Sequence, residues 1–258
     1  MKKIAIIAIF VFTLGFLGQF CQAGEINYPE IEFLQTAFAR EIGNQANFNR
    51  QYLEETEKHI LDRISRNPDF TDSQYLIYAD RNPQEQNVFI CFFDAHENKI
   101  IFIGGAKTST GNESRKGDYF KTPTGFFENN PSILGYRAKG TKNSKGWRGL
   151  GIRQSRVWDF GWQETTKHSR PSQIRLLMHA TDPDQGEPRL GKVDSKGCVR
   201  LSNAMASFID RYGIIDRKYE ESSDKSRQTL LLSSRTPVSK AGSFLLVGDS
   251  GEFVLAQK

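Results

Sequence analysis

The sequence predicts a mainly β domain with one or two helices, preceded by a small helical unit. Three observations carry that reading. Short apolar and β-branched runs bounded by turn residues recur from Gln74 onward. Residues 29–66 instead repeat their apolar positions at spacings of three and four. Residues 104–170 are rich in Gly, Lys, Ser, Thr and Asn, which reads as loops and short strands bordering a surface site. With 258 residues, 38% hydrophobic and 25% charged, the chain can build one substantial core. Collagen-like, coiled-coil and wholly disordered classes are excluded by the same figures.

The first segment, residues 1–23, reads as an export signal. Lys2 and Lys3 precede an apolar run from Ile4 to Phe20, and Cys21-Gln22-Ala23 gives a small-x-small pattern for cleavage. An uncleaved anchor is the alternative, but 17 residues is at the low end of what crosses ~30 Å of hydrocarbon. Large Phe20 fits poorly with a lipid-attachment site at Cys21. The expectation is therefore a periplasmic or cell-wall-facing protein with no stable membrane span after cleavage.

Residues 24–70 form the helical unit. Ile31, Leu34, Phe38 and Ile42 mark one apolar stripe, and Leu53, Ile60, Leu61 and Ile64 another. Gly43-Asn44 suits a break between two helices packed as a hairpin, and Asn67-Pro68 an end. A structural cap is the simpler reading of this unit, a partner-holding module the other.

Residues 74–247 form the main domain and 248–258 a tail. Strands are expected at Tyr75–Ala79, Val88–Asp94, Lys99–Ile103, Ile174–Met178, Leu230–Ser233 and Ser243–Val247. A helix over Ala204–Tyr212 begins at a Ser202 or Asn203 cap and stops at Gly213.

The net charge is +5, and removing residues 1–23 takes away two lysines and no acids, leaving +3. No block of five basic residues marks a nucleic-acid arm, so no nucleic-acid partner is expected. Loss of Cys21 leaves Cys91 and Cys198, too few for a disulfide framework. Cys91 lies in an apolar strand-like run and reads as inert core. His59, His96 and His168 lie among polar residues and read as solvated, and no metal-ligand spacing exists. Neither metal nor other cofactor is expected. For Trp147, Trp158 and Trp162, core packing is the first expectation and a flap over a groove the second.

The chemistry lies in two segments. His179 ends a strand, and Cys198 opens a turn before a helix within Ser195-Lys196-Gly197-Cys198-Val199-Arg200-Leu201. A cysteine and a histidine can form a nucleophile–base pair, and an adjacent imidazole or backbone N–H groups lower a thiol's pKa. Gly197 lets the backbone approach a substrate, and its amide with that of Cys198 suits an oxyanion hole. Arg200 is placed to meet a carboxylate. Alone, such a pair reads equally well as a buried cysteine and a satisfied core histidine.

The Ser195–Leu201 segment resembles the catalytic signature of L,D-transpeptidases of the YkuD type. Lys121-Thr122-Pro123-Thr124-Gly125-Phe126-Phe127 is similar to that family's Thr-Pro-x-Gly-x-Phe strand. Thr110-Gly111 and Thr236-Pro237-Val238 also have family counterparts. The resemblance covers about residues 74–247 and implies a β-rich catalytic fold acting on peptidoglycan stem peptides. It makes Cys198 the nucleophile, His179 the base, Gly197 an oxyanion donor and Arg200 a supporting residue. Lys196, Ser195 and Tyr119 are the expected substrate-binding residues, with Ser195 also holding the turn. One departure is that Lys196 stands where the family often has histidine.

In such enzymes the thiolate attacks the bond between a diamino acid and D-alanine, D-alanine leaves, and an amine resolves the thioester to give a 3–3 crosslink. A lipoprotein of the outer membrane, another D-amino acid or water serves as acceptor in some members. An L,D-carboxypeptidase or an amidase with the same thiol is the nearest alternative. A non-catalytic wall-binding protein is the alternative of a different class.

Overall fold

The computed structural model describes residues 27–43 and 48–253. The export signal and its cleavage pattern, the Asn44 side of the expected helix break, and the last residues of the tail lie outside them. Nine strands form two sheets, with five helices around them. The first sheet takes the order β3-β2-β1-β9-β4, from β1 (Gln74–Asp80), β2 (Asn87–Asp94), β3 (Lys99–Lys107), β4 (Gly125–Glu128) and β9 (Phe244–Gly248). The second takes the order β5-β6-β7-β8, from β5 (Tyr136–Arg137), β6 (Arg156–Lys167), β7 (Arg170–Ala180) and β8 (Val199–Leu201).

The first sheet is buried on both faces, and strand alternation divides its side chains cleanly. Tyr75, Ile77, Ala79, Val88, Ile90, Phe92, Leu245 and Val247 enter the main core. Leu76, Tyr78, Phe89, Cys91, Phe93, Phe244 and Leu246 enter a second core on the other face. Cys91 is thus the inert core thiol its apolar run suggests.

Helices α1 (Tyr28–Glu41) and α2 (Arg50–Ser65) cover opposite faces of this sheet. Ile31, Leu34, Ala37 and Phe38 of α1 join the main core, while Ile60 and Ile64 of α2 join the second. The expected hairpin therefore does not form: the two stripes clasp the sheet rather than each other. Phe38 lies so close to Gly104 that a side chain there would collide with its ring.

The second sheet differs most from expectation. Residues 156–180 form a long antiparallel hairpin, β6 and β7, where the sequence suggested loops and one short strand. Arg156-Val157-Trp158-Asp159-Phe160 alternates aromatic and β-branched residues with charges, a pattern suited to strands though poor in aliphatics. Leu230–Ser233 is turn rather than strand. The Leu230 carbonyl there accepts bonds from Arg137 and the buried Arg156. Short helices α4 (Arg217–Glu220) and α5 (Lys225–Gln228) precede it.

Helix α3 (Asn203–Tyr212) follows β8 directly. The Ser202 hydroxyl accepts from the Met205 amide at its start, and Gly213 closes it in the left-handed conformation at φ 58°. Met205, Phe208, Ile209 and Tyr212 bury its inner face in the main core. β8, at the edge of the second sheet, is thus fixed between β7 and a capped helix. Among the described residues no helix is long and apolar enough to cross a membrane.

Candidate active site

β7 and β8 run parallel, with Met178 opposite Val199 and His179 opposite Arg200. Met178, Ala180, Val199 and Leu201 point into the core. Alternation then puts His179, Arg200 and, one residue ahead of β8, Cys198 on the other face. Cys198 stands two residues before Arg200, the register partner of His179, and so lies diagonal to the histidine across the parallel pair.

The histidine is set up as a base. His179 is buried, and its Nδ1 bonds the Ala180 carbonyl oxygen at 2.7 Å. A carbonyl accepts only, so Nδ1 carries the proton and Nε2 keeps a free lone pair. Burial, with the Arg200 guanidinium adding to it, lowers its pKa to about 4, while the bond to Ala180 opposes the shift. The imidazole is therefore neutral at neutral pH.

Cys198 is half-buried and free. Burial pushes its thiol up, and Asp159 pushes it further; the backbone of Leu177 and the Arg200 guanidinium pull against them. The net direction corrects the sequence-based expectation of a lowered thiol pKa. Both shifts favour the uncharged forms, a thiol beside a neutral imidazole.

The turn that presents Cys198 is held from beneath. The Ser195 hydroxyl donates to the Cys198 carbonyl at 2.6 Å and accepts from the Gly197 amide at 2.9 Å. The Thr122 hydroxyl donates to the Gly197 carbonyl and accepts from the Gly111 amide, both at 2.8 Å. Gly197 has φ 128°, and a Cβ on it would lie 2.2 Å from Ile174 Cδ1. A Cβ on Gly111 would lie 2.0 Å from the Phe120 carbonyl oxygen and 2.7 Å from Gly197 Cα, so neither position has room for a side chain. Three motifs distant in sequence, Thr110-Gly111, Thr122-Pro123 and Ser195–Cys198, thus meet under the thiol.

Two expected roles change in this geometry. Ser195 is fully buried, so it positions the turn and does not meet substrate. The Gly197 amide is spent on Ser195 Oγ, which leaves the Cys198 amide as the nearer oxyanion donor. Lys196, by contrast, is exposed, with its ammonium over the Tyr119 ring at 5.8 Å, and both face a cavity beside the site. Arg200 is tied to Asp194 at 3.5 Å.

Sequence reasoning missed several neighbours. Tyr136, opposite Val157 on β5, lies on the same face, and burial with the charges of Asp159 and Cys198 holds its phenol protonated. Asp159 is buried and paired to Arg175 at 2.8 Å. Neither carried a signal, since both sit in the stretch read as loop. Asp194 is adjacent to the cysteine motif and could have been found there. Of the tryptophans, Trp158 is core, Trp162 is exposed and Trp147 is half-buried beside the cavity. His59 is not a solvated residue: it stacks on Phe253 at 4.2 Å, and burial and Arg63 hold its pKa down to about 4.

A family model described as the L,D-transpeptidase catalytic domain, YkuD, matches residues 66–212. The matched region spans β1 through α3 and includes every residue of the constellation above. No curated protein matches the chain.

Proposed function

Because the chain belongs to the YkuD family of L,D-transpeptidase catalytic domains, we propose that it transfers peptidoglycan stem peptides through a thioester on Cys198. The family assignment implies a peptidoglycan substrate. The single observation supporting the roles is the His179 Nδ1–Ala180 carbonyl bond, which leaves Nε2 as acceptor on the Cys198 side of the sheet.

His179 Nε2 takes the thiol proton as sulfur attacks the carbonyl between the diamino acid and D-alanine. The tetrahedral oxyanion faces the Cys198 amide. The intermediate collapses as His179 returns the proton to the departing D-alanine amine, and the acyl group stays on sulfur. An acceptor amine then attacks the thioester, giving its proton to His179 and restoring the thiol. With a second stem as acceptor the product is a 3–3 crosslink. The positive start, apolar run and small-x-small end of residues 1–23 support a reading of this chemistry as periplasmic or cell-wall-facing.

Incubation with disaccharide-tetrapeptide, followed by chromatography and mass spectrometry, tests the reading. D-Alanine and a crosslinked dimer are expected from the protein and neither from Cys198→Ala. Tripeptide without dimer would make water the acceptor. No change in the peptide would reject the enzyme and favour a wall-binding protein.

A further inference from the structure

A cavity of about 320 Å³ adjoins the constellation, walled by the segments 115–119, 143–147 and 189–200. Arg115, Lys145, Arg189, Lys196 and Arg200 line it against one acid, Asp194. Asp194 is largely buried, and its carboxylate gathers Arg115 at 2.5 Å, Arg189 at 2.7 Å and Arg200 at 3.5 Å. One carboxylate cannot neutralise five cations. Lys145 and Lys196 make no ion pair among the described residues, and both are exposed; Asp118, which also feels Lys196, is itself paired with Lys167. Aromatic walls keep the charges in place: Arg189 stacks over Trp147 and Arg115 over Tyr119, each at 4.9 Å. A concave patch of one sign concentrates ligands of the other.

From this arrangement we infer that the cavity is a carboxylate subsite, selecting stems that carry a free carboxylate near the scissile bond over stems in which it is amidated. The inference rests on the reading of Cys198 as the site of stem transfer, because Lys196 and Arg200 flank that residue by two positions on either side. The carboxylate would sit between Lys196 and the exposed guanidinium edges of Arg115 and Arg189, with the peptide stem running along Trp147 toward the thiol. Asp194 is the positioning residue that holds three guanidiniums together when no ligand is bound.

The test is a titration that needs no turnover. Calorimetry on Cys198→Ala compares an acidic tetrapeptide stem with the same peptide amidated at the residue before the diamino acid, or on the diamino acid's own side chain. The acid form should bind about tenfold or more tightly than one of the two amides, the range for charge-assisted bonds to a carboxylate. The amide that loses affinity identifies the carboxylate. Lys196→Gln and Arg189→Gln, each added to Cys198→Ala, should reduce the preference to within about twofold. Lys196→Gln disturbs no ion pair of the fold, so its loss of preference cannot be put down to unfolding. Equal binding of acid and amides, a preference unchanged in both variants, or no binding of any peptide at millimolar concentration would overturn the subsite. A preserved preference in a protein that releases no D-alanine would instead reject the transfer reaction and leave the subsite standing.

Discussion

Thr122→Val changes the fewest atoms with the largest expected effect on the site. Valine keeps the shape and removes one hydroxyl that is fully buried and makes two bonds, to the Gly111 amide and the Gly197 carbonyl, both at 2.8 Å. The substitution leaves both backbone groups buried without these partners. Each such orphan costs about 1–3 kcal/mol, so the pair costs about 2–6 kcal/mol. For a domain of this size, at about 2–4 °C per kcal/mol, that corresponds to a fall in Tm of roughly 4–24 °C. Activity should fall further than stability alone requires. The freed Gly197 peptide carries Cys198, and a shift of about 1 Å in a reacting group costs about a hundredfold in rate. Thermal unfolding and kcat/KM, measured side by side for Thr122→Val and Thr122→Ser, check this. Serine keeps the hydroxyl and should retain most of both quantities. A Thr122→Val protein within about 2 °C of the parent and equally active, or a Thr122→Ser protein as damaged as the valine variant, would refute the bridging role.

Three further outcomes follow from the same geometry. His179→Ala should keep its fold and lose about two orders of magnitude or more in D-alanine release, since it removes the base of the nucleophile–base pair; near-normal release would remove His179 from the mechanism. With His179 held down to about 4, its neutral form persists well below the ordinary imidazole range, so the acid limb of kcat/KM should lie near pH 4 and not near 6.5. Stability has the matching sign: the unfolded chain takes up a proton that the folded chain refuses, so stability is full above about pH 6.5 and falls by about 3 kcal/mol toward pH 4. Denaturant midpoints at several pH values check this, and a flat profile would contradict it. Phe38→Ala should cost about 3–5 kcal/mol, because the ring is buried against Gly104 and Phe208 in the main core. Unchanged denaturant stability would mean that α1 is an appendage after all.

What the sequence made readable were features set by local chemistry. Apolar β-rich runs bounded by turn residues locate β1 and β2 within a residue or so, and the Ser202 cap and Gly213 stop locate α3, because runs and caps are short-range properties. The hairpin of β6 and β7 escapes that reading because β6 and the start of β7 mix aromatic, polar and charged residues without an aliphatic run, although only His168 and Ser169 separate the two strands. The division of the two N-terminal helices between opposite sheet faces is a tertiary fact that no helical period contains. At the site, Cys198 and His179 stood out as residue types in suggestive places. Their shared face needs the parallel pairing of β7 with β8, which joins segments twenty residues apart. The direction of the thiol shift was misjudged for a related reason. Burial and Asp159 act on Cys198 from two strands away, and neither is visible in the Ser195–Leu201 segment. Gly197 does stand at a close approach, but the neighbour is Ile174 and not a substrate, and its amide is taken by the Ser195 hydroxyl.

The central claim is that Cys198 carries the acyl group. Intact-mass spectrometry of the protein, quenched with acid during turnover of a tetrapeptide stem, tests it most directly. The account expects a thioester adduct with the mass of the stem less D-alanine, mapped to Cys198 and absent from Cys198→Ala. Release of D-alanine with no adduct on Cys198 under any quench time, or an adduct that survives in Cys198→Ala, would contradict it.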